Sequence, residues 1–262
     1  MLKKIAIILS WVIIISAIVG SLYSFTYKNF SNSCKKINIS IINNENFFVN
    51  KEDILKIVNK LEDSVVGTPI YKINTDLIEE NIEKHPSIEN SEVYKSINNE
   101  LFIEITQREP ILRVFYKNGN SFYIDKNGEQ MPLSENYSSR VIIANGNIDE
   151  TMLFARRKYK IGTEAIIDSL TLYDKLLELS TYINNNPFWK AQIMQIYVTK
   201  NYEFELVPRV GNHIILFGDE KNIDKKFNKL MIFYREGLKK IGWNNYKTVN
   251  LKYSKQVVCT QN

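Results

Sequence analysis

Histidine and cysteine are nearly missing from this chain: His85, His213, Cys34 and Cys259 are the only four such residues in 262. Structural zinc draws its ligands from these two residue types, and a thiol nucleophile needs a histidine base, so neither chemistry is expected. No P-loop, G-x-G-x-x-G, G-x-S-x-G or H-E-x-x-H motif occurs anywhere in the sequence. The acidic pairs Glu52/Asp53 and Glu79/Glu80 fall at a helix cap and on a helix surface, where solvated roles are the rule. His85 precedes a helix-ending proline and His213 opens a strand between polar neighbours, so both are expected at the surface. The net charge of +5 is spread over 34 Lys/Arg and 29 Asp/Glu without a basic run of five, which argues against a nucleic-acid stripe. No enzyme, cofactor or metal is expected. Whether Cys34 and Cys259 pair is left open by their positions at opposite ends of the folded region.

Charge is also missing from one continuous stretch. Ile5 to Tyr27 holds 23 uncharged residues behind Lys3 and Lys4. At about 1.5 Å of helical rise per residue, roughly twenty apolar residues cross a hydrocarbon core of about 30 Å. A cleaved signal peptide has a shorter apolar region of about 7–15 residues and a small-x-small exit, which Val19-Gly20-Ser21-Leu22-Tyr23 does not supply. The expectation is a tail over 1–4, a transmembrane anchor over 5–27 and a folded region beyond. Lysines flank the segment on both sides (Lys28, Lys35 and Lys36 beyond it), so the positive-inside count does not decide orientation; an exported folded region is preferred.

The residues after the anchor have globular composition. Lys36 to Ile42 alternates polar and apolar, as a half-buried strand does. Asn50 caps a helix carrying Ile54, Leu55, Ile57, Val58 and Leu61. Asn74 or Thr75 caps a second helix, with Leu77, Ile78 and Ile82 as its buried face, that stops at His85-Pro86. Ile88 to Lys95 and Glu100 to Thr106 read as hairpin strands, with Leu101, Ile103 and Ile105 on one face. The order over 36–110 is thus β-α-α-β-β.

That order, with His85-Pro86-Ser87-Ile88-Glu89-Asn90-Ser91-Glu92-Val93 leading to Gln107-Arg108-Glu109-Pro110, resembles the POTRA domain of the bacterial cell-division family FtsQ/DivIB. Ser91 stands where the family usually has alanine. Asp125-Lys126-Asn127-Gly128 is a strong hairpin signal in its own right and resembles the opening of that family's second, β-type domain. Beyond it, a strand at Val141–Gly146, a helix through Leu170–Ile183, and strands at 193–198, 202–207 and 212–217 are expected. A helix over 223–241 with Phe227, Leu230, Met231, Tyr234 and Leu238 on one face, and a last strand over Lys247–Val258, complete the chain. Asp149 to Asp168 reads as a loop or insertion. The fold class expected is α+β: an anchor, a POTRA domain over 36–110, and a mixed β domain with flanking helices over 111–260.

The resemblance implies a non-enzymatic divisome scaffold in the bacterial cytoplasmic membrane at the division site, with its folded region outside the cytoplasm. It implies that the last strand and the adjoining helix receive an FtsB/DivIC-like bitopic partner, itself paired with an FtsL-like one, and that the POTRA domain and anchor region contact upstream members such as FtsK, with septal synthases as further candidates. Val249, Leu251, Lys252, Tyr253 and Ser254 are the expected partner-binding residues. Alternation puts Val249, Leu251 and Tyr253 on one face, and Tyr253 matches a tyrosine the family uses at that edge. The last strand is expected at the sheet border, where a partner strand can add by main-chain pairing. Two alternatives stay open: another POTRA-type envelope assembly or translocation factor, and a membrane-anchored exported enzyme with a dispersed site. A fluorescent fusion at mid-cell separates the first reading from both.

Overall fold

A computed structural model describes residues 9–21, 32–42, 48–61, 64–161 and 164–261, the side chains of 156–169 excepted. The chain divides into two units, Met1–Gln107 and Arg108–Asn262.

Helix α1 (9–21) is uncharged and exposes every side chain it carries; Leu9, Trp11, Val12, Ile13, Ile15, Ile18 and Val19 each keep more than half of their free surface. Among the described residues no helix is long and apolar enough to cross a membrane. The remainder of the expected anchor, 5–8 and 22–27, lies outside the described residues.

The first unit runs β1 (Lys36–Ile42), α2 (Lys51–Leu61), α3 (Thr75–Glu83), β2 (Ile88–Lys95) and β3 (Glu100–Gln107). Its helix starts are set by side chains: Asn50 Oδ1 accepts from Asp53 N–H at 2.9 Å, and Asn74 Oδ1 from Leu77 N–H at 3.2 Å. Each cap satisfies an amide that lacks an intrahelical partner. The three strands form one sheet in the order β1-β3-β2, with β1 parallel and β2 antiparallel to β3. The sheet's central strand buries Leu101, Ile103 and Ile105 completely, beside Ile54, Val58, Ile78 and Ile82 of the helices. Burying each such side chain is worth about 1.5–3 kcal/mol. Leu77, expected on the buried face of α3, is 42% exposed; Ile78 and Ile82, four residues apart, are the pair that points inward.

The second unit begins with β4 (Pro110–Phe115), β5 (Ser121–Asp125), β6 (Gln130–Met131) and β7 (Ile142–Gly146). The β5–β6 turn is organised by Asp125, which is fully buried. It accepts from Asn127 and Glu129 N–H at 2.9 and 2.7 Å, and its other oxygen meets Arg108 at 2.9 Å. Gly128 takes φ +83°, a conformation that side chains oppose. The expected loop at 149–168 is structured: α4 (Glu150–Leu153) leads to a separate antiparallel hairpin, β8 (Arg156–Ile161) and β9 (Glu164–Thr171). Charged residues scattered through that hairpin mask its alternation.

Helices α5 (Leu172–Asn185) and α6 (Pro187–Gln192) precede the meander β10 (Ile193–Val198), β11 (Phe204–Pro208) and β12 (Ile214–Gly218). Helix α7 (Ile223–Ile232) then passes through a π-helical segment, Phe233–Leu238, into α8 (Lys239–Ile241). Phe227, Leu230, Tyr234 and Leu238 are buried on its inner side, as the spacing predicts. The chain ends in β13 (Tyr246–Asn250) and β14 (Val258–Gln261).

Nine strands form one mixed sheet in the order β14-β13-β12-β11-β10-β7-β4-β5-β6. A single apolar cluster joins alternate strand residues such as Val114, Ala144, Ile196, Leu206, Ile215 and Val249 to Leu176, Trp189 and Phe227 of the helices. The intervening residues, among them Arg113, Ile143, Gln195, Tyr197 and Glu205, are only partly covered. One face of the sheet therefore carries the core; the other is partly uncovered from β11 to β4 but is buried at Tyr123 and Met131.

Candidate functional site

The last strand expected over 247–258 is two strands. Tyr246–Asn250 pairs parallel with β12, and Val258–Gln261 folds back antiparallel beside it. Parallel neighbours need a crossover, and α7 with its π-helical extension provides it. The strand bearing Val249 is thus second from the border, and β14 is the edge.

The break after Asn250 has a local cause. Leu251 N–H still donates to Leu216 carbonyl at 3.0 Å, continuing the ladder by one bond. Asn250 Oδ1 then accepts from Lys252 N–H at 3.0 Å, a side-chain turn that competes with strand pairing. Lys229, on α7, donates to the carbonyls of Leu251 (2.9 Å) and Tyr253, holding the departing chain against the helix. Its ammonium is held below the usual lysine pKa, first by burial and then by Lys226 nearby.

The five expected partner-binding residues separate into two groups. Val249 and Leu251 are buried (0% and 1% exposed) and belong to the core cluster. Lys252, Tyr253 and Ser254 are exposed on the connection between β13 and β14, with Tyr253 at 51%. Lys252 pairs with Glu203 at 2.5 Å.

A cleft of about 410 Å³ lies beside this connection, at the start of α7. Five lysines line it (221, 225, 226, 229 and 252) against the two carboxylates of Glu203 and Asp219. Lys226 is pinned to Asp219 at 2.6 Å and lies over the Phe217 ring at 4.9 Å. Gly218, at φ +83°, keeps the strand end flat where the Lys252 side chain crosses; a Cβ there would stand 3.1 Å from its Cγ. These lysines were not singled out from the sequence, although four within nine residues, Lys221 just before α7 and Lys225, Lys226 and Lys229 on it, is a readable signal.

His213 is also placed differently from expectation. It is 1% exposed, and its Nε2 lies 3.0 Å from the Tyr234 hydroxyl. Burial lowers its pKa, partly countered by the Trp243 carbonyl. His85 is half-buried and accepts from Ser87 N–H through Nδ1 at 3.2 Å. Both cysteines are free thiols. Among the described residues no group of three or more His, Cys, Asp or Glu could hold a metal.

The first unit is a three-stranded β-α-α-β-β sheet with its helices, and the second is a nine-stranded mixed sheet that ends in β14. The family model described as a POTRA-like domain matches residues 32–106, and the one described as FtsQ/DivIB, C-terminal related, matches 109–260. The chain belongs to the FtsQ/DivIB family, a family of non-enzymatic cell-division proteins. No curated protein matches it.

Proposed function

We propose that this chain is a membrane-anchored division scaffold, without catalytic activity of its own, that docks an FtsB/DivIC-like partner paired with an FtsL-like one. The observation that carries the reading is the end of the nine-stranded sheet. Edge strand β14, the exposed residues Lys252, Tyr253 and Ser254, and the lysine-lined cleft lie together there. An edge strand offers unpaired main-chain groups to an incoming strand, and the cleft offers positive charge to acidic side chains flanking it. Val249 and Leu251 contribute from beneath, by fixing where the connection leaves the sheet. FtsK and septal synthases are further partners on this reading.

Anchoring over 5–27 is supported by α1, whose apolar side chains are exposed on every side among the described residues. A helix apolar all round belongs in a lipid or protein interior. The folded units then lie outside the cytoplasm, and protease added to spheroplasts should digest them.

The test is a pull-down of the full-length chain, in detergent, with the extracytoplasmic part of the DivIC-like protein, alongside a fluorescent fusion in cells. Capture lost on Lys225→Glu/Lys252→Glu, with mid-cell fluorescence in the wild type, is the expected result. Undiminished capture moves the site elsewhere, and uniform envelope fluorescence refutes the division role.

A further inference from the structure

The two borders of the three-stranded sheet are treated differently. At β2, the outward N–H groups of Ser91 and Val93 are taken by carboxylates of α3: Ser91 donates to Glu83 at 3.1 Å and Val93 to Glu79 at 2.6 Å. The Ser91 hydroxyl adds a bond to the Glu79 carbonyl at 3.3 Å. That border is sealed by the protein's own side chains.

At β1 it is not. Cys34 N–H donates to Thr68 carbonyl and its carbonyl accepts from Gly67 N–H, both at 2.8 Å, on the side away from β3. Lys35 N–H donates the other way, to Asn99 at 2.9 Å. Successive strand residues direct their main-chain groups to opposite borders, so this phase turns Lys36, Asn38, Ser40 and Ile42 outward. Among the described residues β1 pairs with β3 alone, and the 67–68 cover stops at Cys34. Along the bare border runs a groove of about 230 Å³, walled by α2 and lined by Ile37, Ile39, Leu55, Lys36 and Lys51. The isoleucines and Leu55 are only half-covered, and Lys35, Lys36 and Lys51 are exposed. Of the acids nearby, Glu100 accepts from Asn38 Nδ2 at 2.7 Å and keeps its charge, and Glu52 is exposed on α2, so three lysines stand against two carboxylates.

We propose that β1 accepts an extended segment of another protein, alternating apolar and acidic residues, as a fourth strand. Its main chain pairs with Asn38 and Ser40, its apolar side chains cover Ile37, Ile39 and Leu55 on the helix face, and its carboxylates lie on the opposite face, beside Lys36. The site lies in the first unit and is independent of the β14 edge.

The test uses the full-length chain in detergent, titrated with an acetylated, amidated hexapeptide of alternating Glu and Val, with the Lys/Val peptide as control. The wild type should bind the Glu peptide in preference. Ser40→Pro removes an outward donor and no ladder bond, so it should weaken binding roughly tenfold at an unchanged melting temperature. Should that variant melt early, Lys36→Glu gives the second reading, with the Glu peptide weakened roughly fivefold and the Lys peptide favoured. Wild-type binding by both variants, absence of Glu-peptide binding in the millimolar range, or a dimer that Ser40→Pro splits, which makes a second copy the occupant, would overturn the proposal.

Discussion

Four strand borders exist in the two main sheets, and the protein treats them in distinct ways. The three-stranded sheet closes one border with carboxylates from its own helix and leaves β1 bare. The nine-stranded sheet ends on one side in the two-residue β6 and on the other in β14, beside a lysine-lined cleft. Shortness and side-chain capping are both ways of denying an edge to strangers. The borders left bare, β1 and β14, both carry positive charge beside them, so in each unit openness and charge coincide. Substitutions can break that comparison at several points.

The largest effect is expected where the β14 side is held from within. Leu251 is 1% exposed, and truncation to alanine there should cost about 2–5 kcal/mol, as buried leucine truncations do. Urea denaturation monitored by tryptophan fluorescence reads it, and a loss below 1 kcal/mol would mean that the connection is not anchored by the core.

Next comes the sealed border. Glu79→Ala strips the carboxylate from Val93 N–H, whose residue is 6% exposed. An orphaned buried donor costs about 1–3 kcal/mol. The same change bares β2, so the variant should also associate with rising concentration in sedimentation experiments. A stable, monomeric Glu79→Ala/Glu83→Ala protein would show that the carboxylates are incidental.

A smaller effect is expected from pH, and it again compares the two units, which hold one histidine each. Burial holds the folded pKa of His213 and of His85 below 6.5, with Asp53 partly opposing the shift at His85. The unfolded chain then binds more protons than the native state once pH falls below about 6.5, so stability present above that value is lost in acid. The slope should be steeper for the second unit, because His213 is fully enclosed and half-buried His85 is not. Melting curves between about pH 5 and pH 7.5 test this. His213→Gln should lower stability at the upper end and flatten the profile; an unchanged slope would mean that His213 does not titrate with unfolding.

These sites also show what the sequence makes readable. Caps at Asn50 and Asn74, the Asp125–Gly128 turn and the apolar stripe of α7 are written within four residues or in a simple period, and all are found. The break after Asn250 is different, because alternation continues through Leu251 and Tyr253. The side chain of Asn250 turns the chain, but what pins it away from the strand is Lys229, 22 residues before Leu251, reaching the carbonyls of Leu251 and Tyr253 across the crossover. His213 was misplaced for the same reason. Its polar neighbour Asn212 suggests surface, whereas Tyr234, in the π-helical segment after α7 and 21 residues away, draws it inside. Sealing of β2 likewise depends on Glu79 and Glu83 reaching from α3, while the sequence shows Glu79 only as a helix-surface acid and does not single out Glu83. Local signals were legible; long-range hydrogen bonds from lysine, glutamate and tyrosine were not.

The smallest effect on folding, and the one that most sharpens the comparison, belongs to Tyr253. Its side chain is 51% exposed while Leu251, two residues earlier, is buried, so the boundary between core and docking surface falls between them. Only the Tyr253 carbonyl is committed to the fold, through Lys229, and that bond survives any side-chain change. Tyr253→Ala should therefore shift stability by no more than about 0.5 kcal/mol, as exposed substitutions do. If the ring is an anchor for the DivIC-like partner, the same change should weaken binding by about 1–3 kcal/mol, seen as faster dissociation. Calorimetry on the variant and a surface-binding measurement against the partner separate the two quantities. Equal losses in both would make Tyr253 a structural residue like Leu251, and wild-type affinity with wild-type stability would remove it from the interface.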